Sequence, residues 1–287
     1  MSFSEGLAVS ADAIQTYLDE ALRDFGNSDL VQAMRYAVSG GKRMRGYLVI
    51  ESAALFDVPM ERSVPVAASI EAMHAYSLVH DDLPCMDDDD LRRGHPTVHV
   101  KWDEATAVLV GDALQSLSFE LLTRGIVGEP RLELVASLAK ASGAKGMVMG
   151  QAQDIAAETT LQPLTLNQIT SLQDLKTGAL IEWSCVAGAR LGGADPEPLR
   201  QYARALGLAF QIADDILDVE GDADLAGKRL NKDADAGKAT FVSLLGLTGA
   251  KARASELVAE AEAALAPYGA KADCLRDAAR FVISRQM

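Results

Sequence analysis

An all-α fold is what the 287-residue sequence predicts, and three observations carry the prediction. About one residue in six is alanine, the strongest helix former and a weak strand former. Aromatic residues, which strands favour, make up 5%. Apolar residues recur at intervals of three and four, and no stretch alternates apolar and polar residues as a half-buried strand does.

The elements follow in order. Ile14, Tyr17, Leu18, Ala21 and Leu22 share one face of a first helix. A short helix over 28–38 is stopped by Gly40-Gly41. Another spans 42–56, and a longer apolar one runs from Pro65 to Asp82, just before Pro84. Asp103 caps a helix reaching Arg124. Further helices fit 131–142, 146–158 and 166–191, the last with a break at Lys176-Thr177-Gly178. Asp195-Pro196 pairs a capping side chain with proline at a first helical position, and that helix continues through Asp218. Residues 221–237, rich in Gly, Asp and Lys, form a loop, and helices over 250–266 and 271–285 close the chain. With no Gly/Ser linker and no solenoid repeat, residues 1–287 are expected to form a single domain.

Composition excludes several functions. Asp and Glu number 41 against 27 Lys and Arg, a net charge of −14. Such a chain is poorly suited to nucleic acid or to an anionic membrane surface. A hydrophobic content of 49% excludes a disordered chain. Cys85, Cys185 and Cys274 are odd in number and far apart, so neither a disulfide framework nor a zinc site is expected. No uninterrupted apolar run of membrane-spanning length is present, and the N-terminus lacks a secretory pattern. A cytoplasmic location is the expectation.

Chemistry concentrates in three places. Residues 81–90 carry six aspartates in ten positions, Asp81, Asp82, Asp87, Asp88, Asp89 and Asp90, directly after the apolar segment HAYSLVH. Such a run repels itself unless a cation binds within it, and all-oxygen donors suit Mg²⁺ better than zinc. The commoner fate of an acidic run is a solvated loop, but this one follows a core-like helix. Asp214, Asp215 and Asp218 lie inside the apolar stretch LGLAFQIADDILDV, where Asp214 and Asp218 share a face with Gln211. The third set is basic: Lys42, Arg43 and Arg45 follow Gly40-Gly41, Arg92 and Arg93 follow the aspartates, and Lys176, Lys228 and Lys238 each lie beside or within two residues of a glycine. Glycine next to a cation brings backbone and charge to phosphate oxygens, although one such pair alone marks no more than a helix end. The spacing after Gly41 is not that of a P-loop. Carboxylates for a divalent metal, cations for phosphates and apolar helices together point to ionisation of a hydrophobic diphosphate.

Five segments then carry a resemblance: GGKRMR at 40–45, EAMHAYSLVHDDLPCMDDDDLRRG at 71–94, LKTGALI at 175–181, FQIADDILD at 210–218, and the Gly-Lys pairs at 227–228 and 237–238. In that order they make the chain resemble the trans-isoprenyl diphosphate synthase family, in its bacterial farnesyl diphosphate synthase type. The resemblance implies a helical domain around a deep central cavity, a homodimer, and Mg²⁺ as cofactor, with three ions per active site and Mn²⁺ as a possible substitute. It implies that Asp81, Asp82 and Asp87, with two extra residues before the last, form the first aspartate motif, and that Asp214, Asp215 and Asp218 form the second. Asp81, Asp82, Asp87, Asp214 and Asp218 are the implied metal ligands. Lys42, Arg45, His74 and Arg93 match the isopentenyl diphosphate site. Arg92, Lys176, Thr177, Gln211, Lys228 and Lys238 match the allylic diphosphate site, with Lys176 also counted as catalytic. The family often has Thr-Tyr-Pro where this chain has Thr240-Phe241-Val242.

The implied activity joins isopentenyl diphosphate to dimethylallyl or geranyl diphosphate, giving farnesyl diphosphate. The alternatives are a geranylgeranyl diphosphate synthase and, less well matched, a class I terpene cyclase, which needs no second diphosphate site. Tyr76 is the expected chain-length determinant, five residues and about 7.5 Å of helix before Asp81. A plain core aromatic is the competing reading for it. His74 alone is more often a structural histidine, whereas the family match makes it a diphosphate ligand. His80 is expected to pack at a helix end.

Overall fold

The computed structural model describes residues 2–158, 163–220 and 239–284. Its helices are α1 (Phe3–Arg23), α2 (Asp29–Ala37), α3 (Met44–Ala54), α4 (Met60–Asp81), α5 (Val98–Lys101), α6 (Glu104–Thr123), α7 (Arg131–Ser142), α8 (Met147–Glu158), α9 (Leu166–Gln173), α10 (Ala179–Gly192), α11 (Glu197–Glu220), α12 (Phe241–Ala264) and α13 (Asp273–Ser284). A two-residue antiparallel hairpin, β1 (Leu91–Arg92) and β2 (His95–Pro96), is the strand structure among the described residues.

Helix starts follow local chemistry. Ser2 and Glu5 form a capping box on α1, and Thr165 and Gln168 form another on α9. The Asp103 carboxylate accepts the N–H of Thr106 at 2.6 Å, as its position predicts for α6. Asp195 accepts the N–H of Glu197 at 3.0 Å where α11 begins.

Helix α4 is the axis of the molecule. Its residues from Ser63 to Met73 are buried on every side, against α6, α3 and α1. That explains why it starts at Met60 and not at the predicted Pro65. Pro65 cannot donate to the preceding turn, yet close packing of the small residues Ala67, Ala68, Ser69 and Ala72 holds the helix through it. One apolar cluster gathers α1, α2, α4, α6 and α7 with one side of α3 and of α10. A second gathers α3 and α10–α13, and Phe56 touches both. Helix α6 is long and apolar enough to cross a membrane, but it carries Glu104, Asp112 and Glu120 and buries Val110, Leu114, Leu117 and Leu121 in the core.

The predicted break at 176–178 is a π-helical turn, Asp174–Gly178, and the helix runs on into α10. The extra residue of a π turn displaces one side chain without ending the helix. Gly150 of α8 lies so close to the backbone of Lys176 and Leu175 that a Cβ there would collide with both. The last two helices also differ from expectation: α12 begins at Phe241, where Thr240 and Ser243 form a reciprocal cap, and α13 begins at Asp273.

The hairpin was not anticipated from the sequence. Arg93 and Gly94 form its turn, with φ of 54° and 76°. Two left-handed residues in succession make the turn type whose twist suits a two-residue hairpin, but only glycine adopts it without cost. Tyr36 of α2 ties the hairpin down, its hydroxyl donating to the Pro96 carbonyl at 2.7 Å.

Candidate active site

Asp81 ends α4, and the chain then turns back on itself. The N–H of Asp87 donates to the Asp81 carbonyl at 2.8 Å, and that of Asp89 to the Asp82 carbonyl at 3.2 Å. The residues between the Asp pair and Asp87 form a closed loop that returns Asp87 to the helix end. Asp81 lies at the wall of a cavity of about 590 Å³. Burial pushes its carboxyl up to about 7, with Lys176 opposing that shift and Asp87 adding to it. Burial also raises the Asp82 carboxyl, against the pull of Arg92, whose Nε donates to Asp82 Oδ1 at 2.6 Å.

The cavity is mainly apolar. Leu78, Leu83, Met86, Val108, Met147 and Ile155 are among its walls. Tyr76 lines it too, 8% exposed, with the His80 ring edge-on at 5.3 Å. His80 is therefore part of the cavity wall, not only a helix-end packing residue. Its Nε2 lies 3.0 Å from the Val108 carbonyl, and its ring fills the space left by Gly111, where a Cβ would overlap it.

The polar end gathers the predicted cations. Arg45 and His74 line the cavity. Desolvation, reinforced by Arg45, Arg93, Arg92 and Arg43, drives the His74 imidazole well below its usual range, so it is neutral at pH 7. Arg45 is desolvated as well, within the fields of Glu71 and Asp214, and its buried Nε has no hydrogen-bond partner among the described residues. Gly41, with φ of 84°, leaves room for the Arg93 guanidinium against its Cα. The 40–45 segment, His74 and the hairpin arginines thus converge. Lys42 is exposed, with its Nζ 5.5 Å from the centre of the Phe281 ring of α13.

Arg43, grouped with these cations by sequence, has another role. It is 6% exposed and donates to Gln15 Oε1 at 2.6 Å and to the Val38 carbonyl, with Glu71 at 3.7 Å. Glu71 also accepts the N–H of Gly46 at 2.8 Å. This buried pair anchors the Gly40-Gly41 turn to α4.

On the opposite wall, Lys176 and Thr177 of the π turn reach the cavity, and Lys176 Nζ donates to Asp154 of α8 at 2.7 Å. Asp154 and Gln151 escaped the sequence argument. They sit three apart on one face of α8, a spacing that is the available signal. Gln211, Asp214 and Asp218 are half-buried on α11, which packs against the π turn. Asp215 points elsewhere: its Oδ2 accepts the N–H of Phe241 at 2.7 Å, at the start of α12. Lys228 and Lys238 lie outside the described residues.

The donors fit Mg²⁺. Burial penalises negative charge at Asp81 and Asp82, the Asp87 charge adds to that penalty, and a divalent cation relieves it. No three acidic, His or Cys side chains among the described residues are drawn together as a ready-made metal cage.

A helical bundle enclosing an apolar cavity, with acids at one helix end and cations around the mouth, is the all-α fold of the isoprenyl diphosphate synthases. Solved structures agree. An FPP/GFPP synthase from Zymomonas mobilis superposes with a TM-score of 0.89 at 47% identity, covering 98% of each chain. A geranyltransferase from Helicobacter pylori, complexed with magnesium and isoprenyl diphosphate, superposes with a TM-score of 0.83 at 34% identity, covering 99% of this chain and 97% of that one. The polyprenyl synthetase family profile matches residues 27–271. The farnesyl diphosphate synthase of Haemophilus influenzae is 42% identical over 99% of both chains, and that of Escherichia coli is 45% identical over 84% of this chain and 83% of its own. The chain belongs to the polyprenyl synthetase family.

Proposed function

We propose that this protein is a Mg²⁺-dependent prenyltransferase. It joins isopentenyl diphosphate to dimethylallyl and then geranyl diphosphate, giving farnesyl diphosphate and releasing diphosphate. The observation that carries the reading is Asp81: a half-buried carboxylate, beside the buried Asp82, at the wall of an apolar cavity that Tyr76 and His80 also line.

In this reading Asp81, Asp82, Asp87, Asp214 and Asp218 hold Mg²⁺, which when bound neutralises charge developing on the leaving diphosphate. Arg92, Lys176, Thr177 and Gln211, with Lys228 and Lys238, orient the allylic diphosphate. Arg45, Arg93 and Lys42 receive isopentenyl diphosphate, and His74 serves as a neutral hydrogen-bonding group because its imidazole is uncharged at pH 7. Leu78, Leu83 and Ile155 exclude water from the reacting carbons. Asp215 stays in the site as the residue that fixes α12 and not as a metal ligand. Two acidic sets and a diphosphate have oxygen donors for three ions, and Mn²⁺ takes the same ligands. A single catalytic domain, a homodimeric state and a cytoplasmic location complete the proposal.

The test is incubation with Mg²⁺, labelled isopentenyl diphosphate and dimethylallyl diphosphate, with products resolved by length. A fifteen-carbon diphosphate that disappears on chelation is expected. A cyclic hydrocarbon from farnesyl diphosphate alone would mean a cyclase, and a dominant twenty-carbon diphosphate would mean a geranylgeranyl diphosphate synthase.

A further inference from the structure

One side-chain amide in the cavity wall has no hydrogen-bond partner among the described residues. Gln151 lines the cavity from α8, and both Nε2 and Oε1 of its amide are out of solvent without a hydrogen bond among the described residues. A buried amide left unsatisfied is costly, and a protein retains one where a ligand meets it.

Its neighbours define the level at which it meets a substrate. Gly150, immediately before it, packs on the backbone of Lys176. Asp154, one turn further on, holds the Lys176 ammonium at 2.7 Å. Val148 and Ile155, three before and four after Gln151, belong to the apolar wall. The amide therefore lies between the cation that receives a diphosphate and the walls that receive its tail. In a bound allylic diphosphate that is the level of carbons C1 to C3.

We infer that Gln151 is a catalytic residue whose Oε1 faces the allylic carbons and stabilises the positive charge that develops on them. The inference rests on the prenyl-transfer reading above. As the C1–O bond breaks, its electron pair leaves with the diphosphate, and the positive charge is shared between C1 and C3. The C3=C4 pair of isopentenyl diphosphate then forms the new C4–C1 bond, and the proton lost from C2 passes to the released diphosphate. An amide oxygen suits the task because its dipole stabilises a cation, while it is too weak a nucleophile to capture it as a carboxylate would. The neutral prenyl chain gains little from the same dipole, so the interaction belongs to the transition state.

The experiment uses Gln151→Leu and Gln151→Met, which preserve bulk and remove the dipole. In both, kcat is expected to fall about 10²-fold, with KM for each substrate within about twofold of wild type. Tm should equal or exceed that of the wild type, because an orphaned buried amide has gone. Wild-type enzyme assayed alongside judges the prenyl-transfer reading separately: no condensation there overturns that reading and the inference with it. Normal wild-type turnover with kcat unchanged in both variants overturns the inference alone, leaving the amide to a bound water. A raised KM for the allylic substrate at constant kcat overturns it too, placing the amide on phosphate. So does a lowered Tm accompanying the loss of rate, which would make the residue structural.

Discussion

The Asp215 carboxylate accepts the backbone N–H of Phe241 at 2.7 Å, across the chain segment that separates α11 from α12. It satisfies a first-turn donor that has no partner within α12, while Thr240 caps the N–H of Ser243. Asp215 is therefore tied to the start of α12, although its neighbour in sequence is Asp214. Asp215→Ala should cost about 1 kcal/mol of stability, in the range of a lost helix cap. Asp214→Asn should leave Tm near the wild type and remove most turnover. Thermal melts and steady-state rates on the two variants check this. Equal loss of rate with no loss of Tm in Asp215→Ala would place that residue in the metal site.

Asp81 carries a pH signature. Its carboxyl is raised from 3.8 to about 7, so between those values the folded protein holds a proton that the unfolded chain has released. Stability from this group therefore declines as pH rises from about 4 to 7. Asp81→Asn mimics the protonated form. Its Tm should match the wild type near pH 4 and exceed it by pH 8 in the absence of Mg²⁺. Mg²⁺ competes with the same proton, so wild-type Mg²⁺ affinity, measured in the presence of diphosphate, should tighten as pH rises towards 7.

Arg45 and Lys176 sit on different walls, one among the hairpin arginines and the other on the π turn. Arg45→Ala should raise KM for isopentenyl diphosphate about tenfold or more, the effect of one lost hydrogen bond to a charged group. Lys176→Ala should do the same for the allylic substrate. Initial rates with each substrate varied in turn decide the matter, and equal shifts for both substrates in either variant would contradict the assignment.

Tyr76 and His80 stand edge to face in the cavity wall, and Gly111 gives the imidazole its room. Tyr76→Ala should lengthen the product to twenty carbons or more, read by chromatography of the dephosphorylated products. Gly111→Ala should press the His80 ring towards Tyr76, lowering turnover with geranyl diphosphate more than with dimethylallyl diphosphate. An unchanged product from a folded, active Tyr76→Ala protein would remove the tyrosine as the determinant.

Much of this was legible in the chain. Helical spacing and the caps at Asp103 and Asp195 placed α6 and α11, because those signals are local. Arg45, His74 and Arg93 converge as expected. Signals that depend on tertiary packing were not legible. Pro65 looked like a start until burial held the helix through it. Lys176-Thr177-Gly178 looked like a break, because nothing local reports that Gly150 lies against it. Arg43 could be grouped with the cations beside Gly40-Gly41 but not given its structural role, because its partners Gln15 and Val38 lie on other elements. The 91–96 hairpin is too short to show a period, and its turn is built on an arginine where asparagine is usual.

That turn has a consequence for anyone who would breed a hardier version of this protein. Arg93 occupies a left-handed conformation in which asparagine is at ease and arginine is not. A screen that scores only survival on heating would drift towards Arg93→Asn, and each step of that drift would discard a guanidinium from the cluster around His74. If Arg93 receives isopentenyl diphosphate as proposed, heat resistance and turnover are selected in opposite directions at position 93, so a library built for the first should hold this codon constant.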